Sequence, residues 1–216
     1  MMIKAVIFDM DGLMIDSERV TFEGFQHVLE LMNLSMSREF YIQTLGKTLD
    51  PVKMIYREEY GPNFPVDKAI DDVHQYIWDV FEKEGVPLKE GLLNLLKYLK
   101  DNHYQTIVAT SSGRQRVDRI LKLANISSYF DDSICGDEVE NGKPYPEVFL
   151  KACEKLGVST NEAIVLEDSE AGIEAAYRAH IPVLCIPDMK YPEEHYQKMT
   201  TKILPSLNEV IDFIKN

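Results

Sequence analysis

The chain has 216 residues, of which 45% are hydrophobic and 27% charged, with a formal net charge of −13. That composition is globular rather than disordered, and the length allows one domain or a domain with a smaller insert. The acidic excess argues against nucleic acid as a partner, because a phosphate backbone is held by a basic face.

The stretch Ile3 to Phe8, dominated by apolar and β-branched residues, stops at Asp9 and reads as a buried strand of a parallel sheet. After Ser17 the pattern turns helical for about seventy residues. Phe22, Phe25, Leu29 and Met32 form one stripe and Val52, Ile55 and Tyr56 a second, with Gly61 as its stop. Ile70, Val73, Ile77, Val80 and Phe81 form a third, stopped by Gly85. From Gly91 onward helices and strands alternate: helix over Leu92–Leu99, strand over Gln105–Thr110, helix over Val117–Ala124, and a short strand over Ser133–Gly136. A helix over Pro146–Leu156 ends at Gly157. Then come a strand at Ala163–Leu166, a helix at Ala171–Ala179, a strand at Val183–Ile186, and a last helix that Ser206 caps. This order predicts a doubly wound parallel α/β sheet, with residues 1–16 and 87–216 as a core and residues 17–86 as an all-helical insert.

Ligands bind such sheets at the carboxyl ends of the strands. The first strand ends in Asp9-Met10-Asp11-Gly12, with Asp16 beyond, and the second in Thr110-Ser111-Ser112-Gly113. Gly142-Lys143-Pro144 follows the third, Glu167-Asp168-Ser169 the fourth, and the last carries no polar cluster. Asp9 and Asp11 are two apart, so in extended chain both carboxylates face one way. With Glu167 and Asp168 converging on them, the expectation is a hard divalent cation with oxygen ligands, Mg²⁺. Lys143, the Thr110 hydroxyl and the Ser111 amide would supply donors to a phosphoryl group. The helix opened by Gly113 would offer its N-terminus to the same anion.

Taken together, these four motifs resemble those of the haloacid dehalogenase superfamily, on its phosphatase side and nearest its β-phosphoglucomutase-like branch. The segment Phe8-Asp9-Met10-Asp11-Gly12-Leu13-Met14-Ile15-Asp16 is similar to the first family motif. Ala109-Thr110-Ser111 is similar to the second, Gly142-Lys143-Pro144 to the third and Leu166-Glu167-Asp168-Ser169 to the fourth. The helical insert stands where that family carries a small cap. The resemblance implies Asp9 as the nucleophile, forming an aspartyl-phosphate, and Asp11 as the acid and base. It implies Asp9, the backbone carbonyl of Asp11, and Asp168 as Mg²⁺ ligands, with Glu167 helping through water. Thr110, Ser111 and Lys143 would hold the phosphoryl oxygens.

The expected activity is hydrolysis of a small phosphorylated metabolite, with a phosphohexose mutase as the alternative. Two departures weigh against the mutase. Thr21 stands where the resembling mutases carry a hinge histidine, and Leu49 stands where they carry a phosphate-clamping arginine. A phospho-receiver or a catalytically silent phosphate-binding protein is the alternative of another class. A receiver lacks the large helical insert after its first strand, and the complete acid set argues against a silent protein. Gly46-Lys47-Thr48 echoes the end of a P-loop, but Tyr41 stands where its first glycine belongs and no strand precedes it. The family places this loop near the substrate, so Lys47, with Thr21, is a candidate substrate contact.

The five histidines have no metal-binding spacing, Trp78 and the insert's tyrosines read as core, and no GxGxxG points to a dinucleotide. Cys135, Cys153 and Cys185 lack CxxC spacing and read as buried thiols of a reducing compartment. No apolar run approaches the ~18–20 residues of a membrane span, and the run after Met1-Met2-Ile3-Lys4 is too short for a signal peptide. A soluble, cytoplasmic monomer is expected.

Overall fold

The computed structural model describes residues 3–215; Met1, Met2 and Asn216, assigned above to the core, lie outside the described residues. Strand β1 (Ala5–Phe8) is buried along its whole length. Such continuous apolarity is what a strand covered on both faces requires. The chain then forms α1 (Ser17–Glu30), α2 (Arg38–Ile42), α3 (Leu49–Tyr60) and α4 (Val66–Glu84) without an intervening strand. Next come α5 (Leu92–Asp101), β2 (Gln105–Ala109), α6 (Arg114–Leu123), β3 (Asp132–Ile134), α7 (Glu147–Leu156), β4 (Ala163–Glu167) and α8 (Glu170–Arg178). The chain closes with β5 (Val183–Cys185), α9 (Glu194–Gln197), β6 (Lys202–Ile203) and α10 (Asn208–Lys215).

All six strands run parallel in the order β3-β2-β1-β4-β5-β6. β1 lies at the centre, with Phe8 opposite Val108 on β2 and Leu166 on β4. This register sets the residues that follow the three strands side by side at one edge. Asp9 N–H donates to Leu166 O (3.1 Å) and Thr110 N–H to Ile134 O (3.1 Å), so the pairing extends just past the strand ends. Helices cover the sheet through apolar stripes. α5 buries Leu92, Leu95, Leu96 and Leu99, the i, i+3, i+4, i+7 face of an amphipathic helix. α7 and α8 bury Phe149, Ala152, Ile173 and Ala176 in one cluster with Ile7, Ile107 and Val165 of the sheet. α7 ends where Gly157 adopts φ 67°, a left-handed value that suits glycine.

The molecule divides into two compact units: Ser17–Gly85, and the chain on either side of it. The sequence reading placed Val86 with the helices; the division leaves it with the sheet. Within the helical unit α1 packs along α4, and an aromatic cluster forms around Tyr56. The rings of Phe25, Phe40 and Phe64 lie 5.0, 5.5 and 6.1 Å from it. Tyr41 and Tyr56 are therefore core, whereas Trp78 is half-buried. Among the described residues no helix is long and apolar enough to cross a membrane. α2, α9 and β6 have five, four and two residues, too short for periodicity to reveal.

Candidate active site

At the central edge of the sheet, Asp9 follows β1, Thr110 follows β2, and Glu167 ends β4 with Asp168 next. A loop after β3 carries Lys143 into this edge, its side chain only 5% exposed. The Lys143 ammonium donates to Asp9 Oδ1 (2.5 Å), Glu167 Oε1 (2.6 Å) and the Ala109 carbonyl (3.1 Å). One buried cation thus ties together the ends of β1, β2 and β4.

Glu167 is fully buried, and both oxygens of its carboxyl group have polar partners there. Besides Lys143 on Oε1, its Oε2 accepts from the Asp168 and Ser169 amides and the Ser169 hydroxyl, each at 2.9 Å. Ser169 also caps α8, its Oγ accepting from Gly172 N–H at 3.1 Å. A β-carbon on Gly172 would fall 1.7 Å from Glu167 Oε1, so the first turn of α8 must carry glycine to pass the carboxylate. A β-carbon on Gly12 would likewise fall 2.3 Å from Asp168 Oδ2.

Asp9, Glu167 and Asp168 each offer an oxygen within 4.8 Å of the others. Burial raises the Asp9 carboxyl above its ordinary range; Lys143 opposes this, and Glu167 and Asp11 add to it. For Lys143, burial works against the charge, but Asp9 and Glu167 outweigh it and hold the ammonium pKa above its usual value. Fully ionised, three carboxylates face one ammonium and leave two negative charges. An all-oxygen donor set with that excess fits a hard divalent cation.

Two expectations about this edge need correction. The Asp11 carboxylate does not join the other three. Its Oδ1 accepts from Arg116 Nη2 (2.6 Å) and its Oδ2 from the Ser112 hydroxyl (2.7 Å). The i, i+2 rule for extended chain fails here because the chain leaves the strand at once. Met14 and Ile15 N–H both return to the Met10 carbonyl, closing a tight turn around Asp11. Nor is the N-terminus of α6 open to an anion. The Arg114 amide donates to both oxygens of Asp137, each at 3.1 Å.

The Thr110 hydroxyl accepts from Ser112 N–H at 3.2 Å and is buried beside the edge. Ser111 is exposed, and its carbonyl packs so closely on Gly136 that a β-carbon there would fall 2.1 Å away. In the helical unit, the Thr21 hydroxyl donates to the Ser17 carbonyl (2.8 Å) within its own helix. Lys47 is exposed in the loop before α3.

Sequence reasoning missed Arg116 and Asp188. Both Arg114 and Arg116 sit in the first turn of α6, against the helix dipole. Cations so placed signal acidic partners, and these are Asp11 for Arg116 and Glu138 for Arg114. The end of β5 is not bare of charge either: Asp188 beyond it pairs with Lys89 at 2.6 Å.

A parallel α/β sheet with a helical insert after its first strand, and an acid-lysine cluster at its carboxyl edge, defines a class of hydrolase. Residues 6–186 match the haloacid dehalogenase-like hydrolases, and the chain belongs to that family. Among curated relatives it is 32% identical to the phosphorylated carbohydrates phosphatase of Thermotoga maritima over 82% of each chain. It is 27% identical to hexitol phosphatase B of Escherichia coli O157:H7, over 96% of this chain and 94% of that one. A solved structure from Thermotoga maritima, assigned provisionally to the β-phosphoglucomutases, superposes with a TM-score of 0.83 at 26% identity and 99% coverage of both chains.

Proposed function

We propose that the chain is a Mg²⁺-dependent phosphatase that hydrolyses a small metabolite of the sugar-phosphate class through an aspartyl-phosphate. The observation that carries this reading is the Lys143 ammonium held between Asp9 and Glu167, with Asp168 in reach of both carboxylates. Phosphoryl transfer needs chiefly positioning and charge neutralisation, and this edge supplies both. The relatives named for phosphorylated carbohydrates and hexitols support the substrate class.

Asp9, the Asp11 backbone carbonyl and Asp168 would hold Mg²⁺, with Glu167 assisting. An ion held there would supply charge neutralisation to the phosphoryl oxygens. Asp9 attacks phosphorus, the ester P–O bond breaks, and Asp11 gives its proton to the leaving oxygen, which departs as an alcohol. Water then attacks the same phosphorus and Asp11 takes its proton. The Asp9–phosphorus bond breaks, inorganic phosphate leaves, and the carboxylate is restored. Lys143, the Thr110 hydroxyl and the Ser111 amide hold the phosphoryl oxygens, and the helical unit acts as a substrate-selecting cap with Lys47 and Thr21 as contacts.

The test is phosphate release from a panel of phosphorylated metabolites, with Mg²⁺, with excess chelator, and with Mg²⁺ restored. Turnover of sugar phosphates that stops in chelator and returns with Mg²⁺ is the expected outcome. Undiminished turnover in chelator would remove the metal, and no release from any substrate would remove the phosphatase.

The likeness to a β-phosphoglucomutase-type structure favours one second reading, a mutase. In it a sugar hydroxyl, not water, takes the phosphoryl group from Asp9. Thr21 is engaged with Ser17 and Leu49 offers no guanidinium, so water is expected to win. With β-glucose 1-phosphate and a catalytic amount of the 1,6-bisphosphate, inorganic phosphate should appear faster than glucose 6-phosphate; the reverse order would promote the mutase.

A further inference from the structure

The Lys143 ammonium has a fourth neighbour that the motifs leave unused. Its three donors go to Asp9, Glu167 and the Ala109 carbonyl. Beside these contacts lies the ring of Phe149, with Nζ over the ring face 4.8 Å from the centroid. Phe149 is fully buried in the first turn of α7, anchored in the apolar cluster beneath the sheet. Lys143 itself stands in a turn, outside any strand or helix.

One of the two carboxylate contacts of Lys143 belongs to a group that changes during the proposed reaction. Asp9 becomes covalently modified, and the ammonium must share its donors with phosphoryl oxygens. The ring face neither titrates nor reacts. It presents a fixed negative potential to a cation whose side chain is only 5% exposed, where screening by solvent is weak. We propose that Phe149 is a positioning residue for the reaction, holding the Lys143 ammonium beside the nucleophile through the electrostatics of its ring face rather than through its bulk. Its kinetic readout rests on the phosphatase reading above.

The decisive series replaces Phe149 with 4-fluoro-, 3,5-difluoro- and 3,4,5-trifluorophenylalanine in the full chain, assayed at saturating Mg²⁺. Fluorines drain the ring face while barely changing its volume. The expected result is a stepwise fall in kcat, about tenfold over the series, with KM and Tm held. Phe149→Leu, which keeps apolar bulk but has no ring face, should fall at least as far. A flat kcat across the series, with Lys143→Ala inactive, would overturn the inference and leave the phosphatase standing. A loss of kcat that tracks a loss of Tm would also overturn it, since packing would then explain the effect. Undiminished turnover in Lys143→Ala would instead overturn the role given to Lys143.

Discussion

Lys143 makes three charge-assisted or carbonyl hydrogen bonds at a site where three carboxylates meet, so its removal does more than weaken an anion contact. Lys143→Ala should lower kcat by roughly 10²–10³-fold, with kcat/KM falling alongside. Steady-state kinetics decides it, because a change confined to KM would mean simple ground-state binding. Arg116 acts one step further out. Its guanidinium and the Ser112 hydroxyl together occupy both oxygens of Asp11. If they orient the acid and base, Arg116→Ala should slow an alkyl phosphate on the order of tenfold. It should slow p-nitrophenyl phosphate much less, since a good leaving group needs little proton donation. Arg116→Lys should recover only part, because an ammonium lacks the planar fork. Equal slowing of both esters would refute this placement of Arg116.

Where helices meet the sheet edge, close approach decides which residues are tolerated. The first turn of α8 passes so near Glu167 that Gly172→Ala would press a methyl group onto a buried carboxylate. A cost of about 1–3 kcal/mol is expected from such overpacking, with a matching loss of turnover because Glu167 must move. Urea unfolding measures the first and phosphate release the second; an unchanged midpoint would mean the helix yields easily. At α6 the corresponding question is what its N-terminus serves. Asp137 accepts from the Arg114 amide with both oxygens, so Asp137→Ala should cost about 1 kcal/mol of stability and leave KM for substrate unchanged. A rise in KM would return that helix end to the phosphate site.

For the molecule as a whole, the buried titratable groups set an alkaline limit. Burial pushes the thiols of Cys135 and Cys153 up to about 11 and that of Cys185 up to about 12, against an ordinary value of 9.0. Burial moves the hydroxyls of Tyr41 and Tyr56 in the same direction. Between pH 9 and 11 the unfolded chain gives up protons that the folded chain keeps. The stabilisation is therefore complete below pH 9 and is lost as pH rises toward 11. The urea midpoint should be lower at pH 10.5 than at pH 8.5, and Cys153→Ala should narrow the gap. An unchanged midpoint across that range would contradict the burial of these groups.

Each motif at the central sheet edge was legible in the linear chain because it is local. An apolar run ending in a polar cluster marks a buried strand and its carboxyl end, and Asp9, Thr110 and Glu167 follow directly from that rule. Alternating strands and helices after Gly91 likewise disclosed a parallel sheet, since a parallel pair needs a crossover between its strands. What remained hidden depends on which rigid elements come to lie together. Arg116 reaches Asp11 across 105 positions and Lys89 reaches Asp188 across 99, and no periodicity encodes such pairings. β6 is a strand only because Leu184 and Cys185 offer it an edge to pair with. Even Phe149, six residues from Lys143, meets the ammonium only because α7 packs beneath the sheet and the Lys143 loop folds back over it. Short-range pattern follows from the chain's own stereochemistry, whereas partner choice among charged side chains follows from burial, which exists only once the elements have packed.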